Sequence, residues 1–353
     1  NTDAVTFDVG AQNYTGTITG EATVSDTLSL DTGADVSDSA ITNVDALTLA
    51  SGASVRMTAQ QNQNFTGAII APGIGINGET ITINGNGGVT TLAHIENYSI
   101  EDDSTNVRAV TIIQTNTNVT ATSNTDAVTF DVGTQTYTGT ITGDSTVNDT
   151  LILDNGADVS GGAIVHVDAL TLASGASVRM TAQQNQNFTG AVTADGTGIN
   201  GETITITGDG TVTTLANVEN YIIEDDSTDI RTVMINSANT HVTANSVTDA
   251  VTFYLGALTF TGTIIGEATV DDALNLLSLG TGADVSGGVI ENVEALTLSS
   301  GASVHLSAAQ NQGFTGMITA PGTGAGGETV LITGDGAVTT LAEIENYIIG
   351  DES

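Results

Sequence analysis

The chain repeats itself at a long, fixed interval. The stretch from Asn1 to Gly10 (NTDAVTFDVG) returns as Asn124 to Gly133, and Thr248 to Phe253 opens a third copy, so the period is 123 residues. A block from Asp45 to Ala68 recurs unchanged at Asp168 to Ala191 and in edited form at Glu294 to Met317. Repetition on this scale restricts a chain to stacked supersecondary units or to equal domains in series. The copies run over residues 1–123, 124–246 and 247–353. The third has three extra residues near Asn275 to Leu279 and is incomplete at its C-terminal end, stopping before the segment represented by 107–123 in the first.

A finer pattern runs inside each copy: an acid, a small or polar residue, an aliphatic one, usually Thr or Ser, then another apolar residue. The first copy shows it at Asp3 to Phe7, Asp26 to Leu30, Asp45 to Leu49, Glu79 to Ile83 and Glu96 to Ile100, and with Arg in the acid's place at Arg108 to Ile112. Residues two apart on a strand share a face, so each motif reads as a strand with one face buried. Leu47, Leu49, Val55 and Met57 should then point inward, with Leu170, Leu172, Val178 and Met180 repeating them, while Thr48 points out.

Six strands in one period average about 20 residues apiece, near the length of one β-solenoid turn. Gly10, Gly33, Gly52 and Gly85 follow strands, where tight corners need unusual backbone angles. The expected fold is all-β, a parallel β-helix (β-solenoid) built from the tandem repeats. The alternative is a series of β-sandwich domains. Against it, no linker separates the copies, Trp is absent, and Phe and Tyr number only 7 and 6.

Charge narrows the partners. The sequence has 41 acidic residues against four Arg and no Lys, for a net charge of −37. Such a chain repels nucleic acid and anionic lipid and attracts cations. No 18-residue apolar span offers membrane insertion, and the lack of Cys removes disulfides and thiolate metal sites. The start at Asn1 reads as a mature protein or a segment of a longer one.

The run Val44 to Val55 (VDALTLASGASV), together with Gly208 to Leu215 (GDGTVTTL) and Val218 to Tyr221 (VENY), resembles the β-strand repeats of large bacterial surface proteins, of the S-layer and giant repeat-adhesin type. The resemblance spans all three copies. It implies an acidic, Cys-poor protein of the prokaryotic cell surface or exterior, often calcium-dependent. The paired Gly and fixed Asp of the RTX calcium nonapeptide are missing; Asn84 to Gly88 (NGNGG) is only an echo.

Few residues offer chemistry. The acidic clusters Glu101-Asp102-Asp103 and Glu224-Asp225-Asp226 are the candidate metal ligands, since hard Ca²⁺ takes several oxygens. The leading acids Asp3, Asp26, Asp45, Glu79 and Glu96 are a second cation candidate, because stacking would set like charges about 5 Å apart. No His position recurs: Asn217 and Glu343 align with His94, and His166, His241 and His305 have no partners at ligand spacing. No nucleophile elbow is present, so no catalytic or cofactor-binding residue is assigned. Asn97, Asn220 and Asn346 share a Glu-Asn-Tyr motif that suits side-chain amide bonding at a coil edge.

The expected function is structural: an extracellular surface protein that forms or extends a filament, rod or S-layer-like lattice, associating end to end or laterally with copies of itself. Open strand edges at solenoid ends favour such association. The stalk of a repeat adhesin is the alternative, and a carbohydrate-active β-helix enzyme is a third reading.

Overall fold

The computed structural model describes residues 3–73, 77–101, 108–122, 125–224, 231–245, 250–267 and 276–350. Strands make up 43% of the chain and helices 7%, and the strands stack in parallel as a β-solenoid of about 15 turns. The two compact units are residues 1–171 with 187–191, and residues 172–186 with 192–353.

In the first unit one sheet runs through Ser54–Thr58, Thr80–Asn84, Asn97–Ile100, Asn118–Ala121, Thr140–Thr142 and Ala163–Val165, each strand one coil beyond the last. Its register aligns Val55, Ile81, Tyr98, Val119, Ile141 and Ile164 in one column and Met57, Ile83, Ile100 and Ala121 in the next. All ten are buried. Other sheets hold Thr6–Gly10, Thr27–Leu30, Ala46–Leu49 and Ile69–Ile70, and, further along, Val89–Thr90, Arg108–Thr111, Val128–Gly133 and Thr150–Leu153. Parallel pairing follows from the winding, because each strand meets its successor only after the chain has gone once round.

The second unit repeats the scheme. Val178, Ile204, Tyr221, Val242 and Ile264 form its inner column, beside Met180, Ile206, Ile223 and Ala244. Strand Leu276–Leu279 pairs in parallel with Thr252 to Gly256, across a register shift at Gly256, and in unbroken register with Ala295 to Leu298.

The assigned faces hold. Leu47, Met57, Leu170 and Met180 are wholly buried, Leu49, Val55, Leu172 and Val178 nearly so, and Thr48 is part exposed on the outer face. Burial of one such side chain stabilises the fold by about 1.5–3 kcal/mol. The corner glycines Gly10, Gly33, Gly52 and Gly85 have φ of 63°, 91°, 67° and 73°, in the left-handed region open to Gly. Gly10 also closes a register shift against Leu30, which Gly133 and Gly256 repeat.

Coil length is uneven, from 17 residues between Thr80 and Asn97 to 26 between Ser54 and Thr80. The coil from Ser54 to Thr80 contains a helical turn, Ala59–Asn64, opened by a capping box: Thr58 Oγ1 accepts the Gln61 N–H, and Gln61 accepts the Thr58 N–H. Ser307 and Gln310 repeat it before Ala308–Gly313.

Candidate functional site

The Glu-Asn-Tyr motif is where polar side chains enter the solenoid wall, and each member has a separate task. Tyr98 points inward with its ring buried; its hydroxyl accepts the Leu92 N–H at 2.8 Å and donates to Asn62 Oδ1 at 3.2 Å. Tyr221 does the same with Leu215 and Asn185. Burial drives both phenols far above their ordinary range, against a smaller pull from the Leu92 and Leu215 N–H groups, so they stay neutral hydrogen-bonding groups. Asn97 donates to the Glu79 carbonyl and accepts from Asn118 in the next coil at 3.0 Å. Asn220 and Asn346 bond the Glu202 and Glu328 carbonyls in the same way. The coil-edge role expected of these Asn residues is what the geometry provides.

The glutamate of the motif faces a second glutamate one coil earlier. Glu79 is wholly buried at the start of its strand, and its carboxyl accepts the Gly73 N–H at 2.8 and 3.0 Å and the Gly52 N–H at 3.2 Å. Its own N–H donates to Glu96 Oε2 at 3.2 Å, and the two carboxyls lie within hydrogen-bonding reach. Glu202 with Glu219, held by Gly175 and Gly196, and Glu328 with Glu345, held by Gly301 and Gly322, reproduce the pair.

Burial, and then the hydrogen bond with Glu79, holds Glu96 above the usual carboxylate range; burial and Glu202 do so for Glu219. Burial also pushes Glu202 and Glu328 upward, but the converging N–H donors outweigh it and leave both below that range. In the Glu202–Glu219 pair the two values are driven apart, and carboxyls coupled in this way titrate as a unit. Glycines pack closely on the first pair: a Cβ on Gly73 would lie 2.5 Å from Glu79 Oε2, and one on Gly78 2.5 Å from Glu96 Oε2, while Glu96 itself is part exposed.

The other leading acids also face backbone. Asp26 accepts the Val5 and Glu21 N–H groups, each at 2.6 Å, and Asp149 accepts those of Val128 and Asp144 at 2.6 and 2.7 Å. Both are buried, and each carboxylate closes the corner before its strand. Asp45 is half-buried and Asp3 exposed. Sequence reasoning placed these acids near an edge but missed their N–H partners, which come from coils or corners whose proximity depends on the winding.

Of the candidate metal ligands, Glu101 pairs with Arg56 at 2.6 Å, and Glu224 pairs with Arg179. Asp102, Asp103, Asp225 and Asp226 lie outside the described residues. Among the described residues no group of three or more His, Asp or Glu is arranged to hold a metal ion. His94, Asn217 and Glu343 occupy one left-handed corner, with φ of 64°, 65° and 64°; Asn43, His166 and Asn292 occupy another. His305 lies 3.6 Å from Asp284, where the first copy has Arg56 beside Asp35. Among the described residues no helix is long and apolar enough to cross a membrane.

A scan of protein-family models, a search of curated proteins and a search of solved structures each returned no match.

Proposed function

We propose that this protein is a structural component of a prokaryotic cell surface, a non-enzymatic solenoid that forms or extends a filament, rod or lattice by association with copies of itself. The observation that carries this reading is the repetition of the polar interior: Tyr, Asn and the paired Glu make the same wall contacts in successive copies. An enzyme needs one differentiated site, whereas these groups recur from copy to copy and bond the backbone of neighbouring coils.

Successive coils pair strand on strand in register, as His241–Asn245 does beside the strand of Ile223, and the same backbone pairing is available between copies. Divalent cations are the natural counterions of a charge of −37.

Light scattering across protein concentration, with and without calcium, tests the proposal. Mass should rise with concentration. Release of product from a panel of acidic polysaccharides, abolished by a single Asp substitution, would overturn the non-enzymatic reading.

A further inference from the structure

The geometry points to a pH-responsive clasp built into successive repeats: the Glu79–Glu96 and Glu202–Glu219 pairs each hold a single shared proton that ties one coil to the next, and its loss loosens the wall there. Within each pair the two glutamates differ in surroundings. Glu79 and Glu202 are wholly buried and receive backbone N–H donors from two glycines, and at Glu202 these donors favour the charged carboxylate. Glu96 and Glu219 receive no comparable set. Glu219 is 9% exposed, and its Oε2 is buried without a donor in hydrogen-bonding geometry. Its site is closed by Gly201, where a Cβ would lie 2.5 Å from that oxygen. At Glu219, a buried carboxyl with an unsatisfied oxygen beside a second glutamate, a proton lowers the free energy most; Glu96 is part exposed and its Oε2 accepts the Glu79 N–H, but it faces the same neighbour.

Other groups around the pairs do not replace that proton. Gly52, Gly73, Gly78, Asn97 and Asn118 surround the first pair and are uncharged. In the second, Gly175, Gly196, Gly201 and Asn220 take the same places. His241 replaces Asn118 beside Asn220, with its backbone N–H on the Glu219 carbonyl at 2.7 Å, and is the one other titratable group there among the described residues. The first pair has no such histidine, so a response common to both belongs to the glutamates.

The sign of the response follows from the two directions. Glu96 and Glu219, held above the ordinary value of 4.5, contribute stability that falls as pH rises from that value through their folded values. Glu202, held below it, contributes stability lost as pH falls through its folded value. The clasp is therefore tightest near the ordinary glutamate value, in mildly acidic solution.

The test uses the full chain and the double variant E96Q/E219Q, whose amides supply the hydrogen-bond donor at every pH. Melting midpoints of the parent should fall from about pH 5 to about pH 8, and E96Q/E219Q should lose much of that shift. D38N/D209N, which removes two exposed charges, should keep it. Equal pH shifts in the two double variants would overturn the proposal. Infrared difference spectra give a second readout that does not require E96Q/E219Q to be stable. A protonated-carboxyl band should persist in the parent at about pH 5.5, above the ordinary glutamate range, and disappear at alkaline pH. A parent spectrum without that band would equally sink the idea.

Discussion

Tyr98 and Asn62 meet inside the solenoid, the phenol hydroxyl donating to the amide oxygen across 3.2 Å from 36 residues away in sequence. Asn62 passes the link on by donating to the Thr90 carbonyl at 2.8 Å, so a helical turn and two coils are joined through one buried side-chain pair. Removing the hydroxyl in Y98F leaves Asn62 Oδ1 and the Leu92 N–H without their partner. A buried unsatisfied group costs about 1–3 kcal/mol. Urea denaturation should show a loss of that size for Y98F and a smaller one for Y347F, whose ring is half-buried. Equal midpoints for parent and Y98F would contradict the assignment.

The two sides of one strand should respond differently to truncation. Leu47 and Thr48 are adjacent, the first wholly buried and the second on the outer face. L47A should cost about 2–5 kcal/mol by leaving a cavity, and T48A about 0.5 kcal/mol or less. A larger loss from T48A would reverse the assigned faces.

This strand also shows how much was legible in advance. Alternation in Asp45 to Leu49 fixes the inner face, and Gly after the strand marks the corner, because both signals are local. The pairing of Glu79 with Glu96 was not legible: their carboxyls meet only because that coil happens to be 17 residues long, and coil length varies along the chain. The helical turn at Ala59–Asn64 had a local signal, Thr58 followed three residues later by Gln61, which a search tuned to strand alternation passes over. Arg108 stands where other strands lead with an acid, and it is 2% exposed; its place in the pattern was visible, but burial of a cation was not.

Asp149 offers a test of the corner acids. D149N keeps the shape but turns an amide donor toward the Val128 or Asp144 N–H, and should cost about 1–3 kcal/mol. Burial, ahead of the opposing pull of those N–H groups, holds the Asp149 carboxyl above its ordinary value. A raised acid binds its proton more readily in the folded chain, so the parent gains stability at this site as pH falls. The cost of D149N should therefore grow on acidification. A cost that shrinks as pH falls would contradict the direction of the shift.

Calcium addresses the charge as a whole. At constant ionic strength, a cation that binds the folded chain raises its melting midpoint, and millimolar calcium should do so relative to chelator. Identical midpoints would remove divalent cations from the account.

The central claim, a self-associating structural solenoid, is tested most directly by electron microscopy of purified residues 1–353 at concentrations where scattering shows association. The account predicts filaments or sheets whose diffraction includes a spacing of about 4.8 Å, the distance between paired strands, along the stacking direction. A monodisperse monomer, with and without calcium, would contradict it.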